Sequence, residues 1–253
     1  MTENLGALIP VLRSITCAVG SEVMVIGAHA RDVVLREWGV GPGTATEDLD
    51  VVVMLPAGAE YSDIVSTLGP PMNSMGIRFN VAGVRVDILP AIQDIERAAI
   101  FSPVRDIHID VRGQYEAYAA ARIVSLADSL TVRVPTAHAL VLLKLIAWEV
   151  RGAHTPKDAH DLRLILDAVS AGLDRDARVW DEEALLRDDF DAESVKWRLV
   201  GREAAASMPE TAGTAAGVIA RHRHALPYAM GLLDPLGLLA GRLRALEEGL
   251  SST

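Results

Sequence analysis

Thr46-Glu47-Asp48-Leu49-Asp50-Val51-Val52-Val53-Met54 decides how the rest of the chain is read. Three successive β-branched residues, Val51 to Val53, favour a strand, and turn formers bound the run: Gly41-Pro42-Gly43-Thr44 before it, Pro56-Ala57-Gly58 after it. The stretch reads as a buried β-strand that opens on two carboxylates. Side chains two apart on a strand share a face, so Asp48 and Asp50 are expected to project together. Two anions on one stiff element call for a cation between them, and a divalent metal ion is the natural candidate.

Upstream, Leu5, Leu8, Ile9, Leu12 and Ile15 have helical spacing and predict a helix over residues 5–17. Val23-Met24-Val25-Ile26 is a short apolar strand that runs into Gly27-Ala28-His29-Ala30-Arg31-Asp32, after which Val33, Val34, Leu35 and Trp38 predict a helix ending near Gly39. Glycine at a strand-to-helix turn serves a tight turn, and it also lets backbone approach a ligand where the helix's first N–H groups can hold a phosphate. Downstream, Tyr61 to Leu68 reads as a helix stopped by Gly69-Pro70-Pro71. Ile77–Val81 and Val84–Leu89 read as a hairpin around Ala82-Gly83. Arg85, Asp87 and Leu89 share one face of the second strand, which makes Asp87 a third strand carboxylate, for a metal or for pairing with Arg85 or Arg78. Residues 122–126 and 130–134 are further expected strands.

After Pro135 the pattern turns helical: 136–152, 155–171, 180–187, 191–206, 212–224 and 229–248. The expected fold class is α+β, with a mixed β-sheet and flanking helices over residues 1–134 and an all-α domain over 135–253. Lys144, Trp148 and Arg151 lie along one face of the first of these helices. A lysine amid Val141-Leu142-Leu143 and Leu145-Ile146-Ala147 either snorkels to the surface or meets an anion. Asp158 and Asp161 share a face of the next helix and can bridge to Lys144 or Arg151. Arg221-His222-Arg223-His224, with Lys196 and Arg198, is either a charged helix end or a contact for a nucleic-acid acceptor, and Arg244 is spaced to pair with Glu247 and Glu248.

Of the 253 residues, half are apolar but only 4% aromatic, so the core must be built from Val, Leu, Ile and Ala. The formal net charge of −10 argues against broad non-specific nucleic-acid binding. The single cysteine, Cys17, rules out an intramolecular disulfide, suits a reducing cytosol and, in its apolar context, is expected in the core. Met1-Thr2-Glu3-Asn4 lacks the basic start of a signal peptide. The strongest apolar segment, Ala137 to Val150, contains Lys144 and falls short of the ~20 residues a bilayer span needs. A cytoplasmic protein with no membrane partner is expected.

Val25-Ile26-Gly27-Ala28-His29-Ala30-Arg31-Asp32, then Thr46-Glu47-Asp48-Leu49-Asp50, then Val86-Asp87-Ile88-Leu89-Pro90 resembles the nucleotidyltransferase superfamily. Lys144-Leu145-Ile146-Ala147-Trp148-Glu149-Val150-Arg151 and Lys157-Asp158-Ala159-His160-Asp161-Leu162 extend the likeness to its AbiEii/AbiGii-type branch, which includes toxins of type IV toxin–antitoxin systems; the likeness covers roughly residues 20 to 165. It implies a nucleotidyltransferase-like fold and a Mg²⁺-dependent enzyme, with two ions, that transfers NMP from an NTP such as ATP to a hydroxyl. It further implies Asp48, Asp50 and Asp87 as metal ligands, with Asp87 also suited as base. The nucleotide would be held by Gly27, Ala28, Arg31, Lys144 and either Asp158 or Asp161, Lys144 also assisting catalysis. The superfamily's usual Gly-Gly or Gly-Ser is Gly27-Ala28 here, so that turn offers the phosphates only backbone donors. The acceptor could be RNA such as a tRNA end, a protein or a small molecule such as an antibiotic, and a cognate antitoxin is an implied partner. The rival reading is a catalytically silent nucleotide- or partner-binding protein on the same fold.

Overall fold

The computed structural model describes residues 3–43, 46–56, 59–93, 99–102, 104, 107–127, 130–231 and 237–252. Met1-Thr2, the expected turn formers Thr44 and Ala57-Gly58, and 232–236 of the helix expected over 229–248 lie outside these residues. The chain divides into two compact units: residues up to Arg36 with Pro42–Thr136, and Glu37–Gly41 with the residues from Ala137 onward.

The first unit contains α1 (Glu3–Gly6), α2 (Ile9–Val19), β1 (Val23–Val25), α3 (Gly27–Glu37), β2 (Leu49–Met54), α4 (Tyr61–Leu68), β3 (Arg78–Val81), β4 (Val84–Ala91), β5 (Ala99–Phe101), β6 (His108–Asp110), α5 (Gln114–Ala120), β7 (Arg122–Ala127) and β8 (Leu130–Val134). Six strands form one mixed sheet in the order β3-β4-β2-β1-β8-β7, and β5 and β6 pair separately. β2 runs parallel to β4 and β1 parallel to β8; the other neighbours are antiparallel. Val51, Val52 and Val53 are fully buried, which is why an unbroken apolar run takes an interior place in the sheet. Helix α5 packs against β2 and β4, and α2 packs against β1, β3 and α4.

The helix expected over 5–17 is two helices: Leu8 caps the second, and Pro10 sits in its first turn, where a missing N–H costs nothing. Val11, Leu12 and Ile15 form its buried side. Cys17, expected in the core, is exposed, two residues past Ile15 and off that side. Helix α3 begins at Gly27, six residues before the apolar run that predicted it, because Ala28, Ala30 and Arg31 supply its first buried turn.

In the second unit every regular element among the described residues from 137 onward is helical: α6 (Ala137–Arg151), α7 (Lys157–Gly172), a 3₁₀ turn (Ala177–Val179), α8 (Glu182–Arg187), α9 (Ala192–Ser207), α10 (Pro209–Arg221), α11 (Ala225–Ala229) and α12 (Leu238–Leu250). Its tightest seam joins α9 to α12. A Cβ on Gly249 would fall 2.3 Å from the Arg198 carbonyl oxygen, and one on Gly201 2.5 Å from that of Leu246. The two backbones therefore meet directly at that crossing. Among the described residues, no helix is long and apolar enough to cross a membrane.

Candidate functional site

The site in the first unit is assembled by strand register. β2 and β4 pair in parallel with Asp50 opposite Asp87, so their side chains stand on one face of the sheet. Asp48 lies just before β2, two residues from Asp50. β3 pairs antiparallel with β4 and places Arg78 opposite Asp87. The Arg78 guanidinium grips Asp87 bidentately, Nε to Oδ1 at 2.7 Å and Nη2 to Oδ2 at 2.8 Å, and its Nη2 also stands 3.0 Å from Asp48 Oδ2. Arg85, next along the hairpin, approaches Asp48 Oδ1 at 2.8 Å through Nε and donates to Glu47 at 2.6 Å. The Arg85–Asp48 approach is an ion pair by distance but lies off the hydrogen-bonding axis, since Asp48 Oδ1 is buried without an aligned donor.

The electrostatics follow from this crowding. The hydrogen bonds to Asp87 raise the pKa of Arg78 above its ordinary value against the opposing effect of burial, and the charges of Asp87, Asp48 and Asp50 add to the rise. One guanidinium thus bridges Asp48 and Asp87 and lies within reach of the charge on Asp50. Beneath them, Tyr61 donates its hydroxyl to the Ile88 carbonyl at 2.7 Å; burial, with Asp87 nearby, pushes that phenol up.

The turn at Gly27 is fitted to Asp50. Gly27 has φ +64°, and a Cβ there would lie 2.0 Å from Asp50 Oδ2, so any larger residue would be strained and would displace the carboxylate. Helix α3 starts at this point, which sets its first N–H groups beside an acid. Ala28 is buried. His29 Nδ1 is buried without a hydrogen-bond partner, and burial lowers the His29 pKa, with Asp32 opposing and Arg31 adding to the effect. Arg31 is fully buried, hydrogen-bonded through Nε and Nη2 to Asp32 Oδ1, and covered by Gly43, where a Cβ would meet its Cζ at 2.5 Å.

The other residues singled out by sequence belong to the second unit. Lys144 is buried on α6 and donates to Asp158 Oδ1 at 3.0 Å and Asp161 Oδ2 at 2.6 Å, both on α7. Arg151 adds a fork onto Asp158, at 2.7 and 3.0 Å. Burial pushes the Asp158 carboxyl up, but the Arg151 hydrogen bonds and the charges of Lys144 and Arg151 outweigh it and hold the pKa below its ordinary value. Of the options open to this lysine, pairing with Asp158 and Asp161 is the one this geometry contains. The basic cluster is also neutralised: Arg221 pairs with Glu149, Arg223 with Glu247, Lys196 with Asp174 and Glu193, and Arg198 with Asp188 and Glu248. Glu247 and Glu248 thereby take Arg223 and Arg198 rather than the expected Arg244.

No protein-family model matches the chain, and no curated protein matches its sequence.

Arg78 carries more weight than its sequence context suggests, where it is one of two candidate partners for Asp87. A two-residue hairpin turn at Ala82-Gly83 fixes the register as Val81 with Val84, Asn80 with Arg85, Phe79 with Val86 and Arg78 with Asp87. Counting back from that turn would have placed the guanidinium beside the acids.

Proposed function

We propose that the chain is a nucleotidyltransferase with a nucleotidyltransferase-like first unit, which transfers NMP from an NTP to an acceptor hydroxyl with the help of Mg²⁺. The observation that carries this reading is the in-register pair Asp50–Asp87, with Asp48 two residues away and Asp50 packed against the glycine that starts α3. Two hard carboxylate ligands on paired strands and a third just before one of them fit a divalent cation in chemical kind, and Asp48 Oδ1, buried without an aligned donor, is a ligand atom in waiting. Among the described residues no three of His, Cys, Asp or Glu already stand as a closed ligand set, so a bound ion requires these side chains to regroup.

In this reading Asp48, Asp50 and Asp87 hold the metal, which when bound supplies charge neutralisation at the phosphoryl groups. The chain's own groups do the rest. The N–H groups at Gly27 and Ala28 bind triphosphate oxygens at the start of α3. Asp87 accepts the proton of the attacking hydroxyl as the oxygen–phosphorus bond forms and pyrophosphate departs. Lys144 is held by acids of its own unit, so the reading assigns it no step. RNA, protein and small molecule all remain open as acceptors, although the net charge of −10 and the paired C-terminal basic residues weigh against a large RNA footprint.

One observation favours the silent alternative, a nucleotide-binding protein or the partner of an antitoxin: Arg78 already bridges Asp48 and Asp87. Incubating the protein with each labelled NTP, Mg²⁺ and a cell extract decides between them. Label transferred to a macromolecule or small molecule by the wild type, and lost in Asp48→Asn/Asp50→Asn, supports the enzyme. Equal results for the two proteins refute it.

A further inference from the structure

Arg78 occupies the position between acids that the sequence reading reserved for a metal ion. Its bonds go to the same carboxylate oxygens that a metal would take: both oxygens of Asp87 and Oδ2 of Asp48. Asp50, in register with Asp87, contributes its charge to the same guanidinium. Arg85 faces the cluster from the outer side of Asp48 and is shared with Glu47. The two arginines offset the three acids only in part, and Glu47 draws on Arg85 as well, so the cluster keeps a net negative charge that favours a further cation.

Two features make Arg78 exchangeable rather than a fixed strut. It sits on the edge strand β3 with its side chain 32% exposed, so the guanidinium has solvent to move into. Arg31, by contrast, is fully buried and sealed under Gly43. A guanidinium is also the side chain best matched to phosphate oxygens, because its planar fork donates two parallel hydrogen bonds.

We propose that Arg78 is a resident countercharge which a divalent cation must displace from Asp48 and Asp87, and which then turns to the phosphates of the nucleotide. This rests on the nucleotidyltransferase reading of the same site. In this scheme Arg78 suppresses metal binding in the absence of nucleotide and couples the metal to the nucleotide once both are present. An arginine that merely props up the strands has the opposite consequence, since its removal would loosen the acids and weaken any ion they hold.

The test is Mn²⁺ binding to the full chain without nucleotide, followed by electron paramagnetic resonance of the free ion, with circular dichroism as the check on folding. Arg78→Gln is expected to bind Mn²⁺ about tenfold more tightly than wild type, the equivalent of one charge-assisted hydrogen-bond pair removed from competition. Arg78→Lys falls between them, because an ammonium keeps the charge without the fork. Arg78→Gln/Asp50→Asn loses the gain. Adding a non-hydrolysable NTP tightens Mn²⁺ binding in wild type and does so less in Arg78→Gln. Equal or weaker binding by Arg78→Gln overturns this inference alone; if that variant does not fold, the order of wild type and Arg78→Lys decides in the same way. Absence of Mn²⁺ binding in wild type and all variants overturns the metal reading of the site as well.

Discussion

Replacing Lys144 with Met should be among the most destabilising single changes in the second unit. The lysine is 7% exposed, and its ammonium is held by two carboxylates that are themselves buried, at 3.0 and 2.6 Å. Methionine keeps the apolar stem but leaves Asp158 and Asp161 without that charge. Removing one partner of a buried ion pair costs about 3–5 kcal/mol. Asp158 retains the Arg151 fork, so the lower end applies, about 3 kcal/mol. Arg151 has a side chain 58% exposed, and Arg151→Ala should cost only about 1 kcal/mol. All four tryptophans, Trp38, Trp148, Trp180 and Trp197, belong to the second unit, so urea titration followed by tryptophan fluorescence reports on that unit. Lys144→Met/Asp161→Asn should recover much of the loss, because it removes the carboxylate as well as the cation. A loss below about 1 kcal/mol for Lys144→Met, or no recovery in the double variant, would refute the buried-cluster argument. The same number bears on function, since a phosphate drawing Lys144 away from both aspartates would have to offset it.

Three further outcomes are expected. Gly27→Ala forces a Cβ to within 2.0 Å of Asp50 Oδ2 at a φ of +64°, so it should cost about 2 kcal/mol or more and abolish nucleotide binding measured by calorimetry, whereas Gly20→Ala, with open space around it, should cost only the backbone strain. Ala82 holds φ 52° in the β3–β4 turn, so Ala82→Asn, which tolerates that conformation and completes an Asn-Gly turn, should raise stability by about 0.5 kcal/mol in thermal melts. The folded Asp158 carboxyl titrates below its unfolded value, so its contribution is complete above the unfolded pKa and is lost as pH falls through the folded one; the second unit's urea midpoint should decline from about pH 5 downward, and this decline should shrink in Asp158→Asn.

The sheet was legible where side-chain chemistry is local. Val51 to Val53 announce an interior strand, and Ala82-Gly83 announces a hairpin whose turn length fixes the register. What stayed hidden depended on burial by partners far along the chain. Arg31, which the family likeness implies as a nucleotide contact, is enclosed by Asp32 and Gly43, and nothing in its local sequence announces that burial. The three-residue strands β5 and β6 and the short α5 carry too few periods to register as pattern. Pro209 signalled the start of α10 three residues before the apolar periodicity did. At the site, the three acids were visible from residue type and strand spacing. The hairpin register already sets Arg78 opposite Asp87, but that the same guanidinium reaches Asp48 was hidden, because it depends on β2 lying beside β4.

The glycine seam between α9 and α12 has a consequence for how the second unit is made. Arg198 and Gly201 press against backbone contributed by Leu246 and Gly249, some forty-five to fifty residues later in the chain. During synthesis α9 emerges with one side lacking its eventual cover, and a contact of such long sequence separation cannot close until α12 has left the ribosome. Closing of this seam is therefore a late event in the making of the helical unit, and α9 waits for it with one side uncovered.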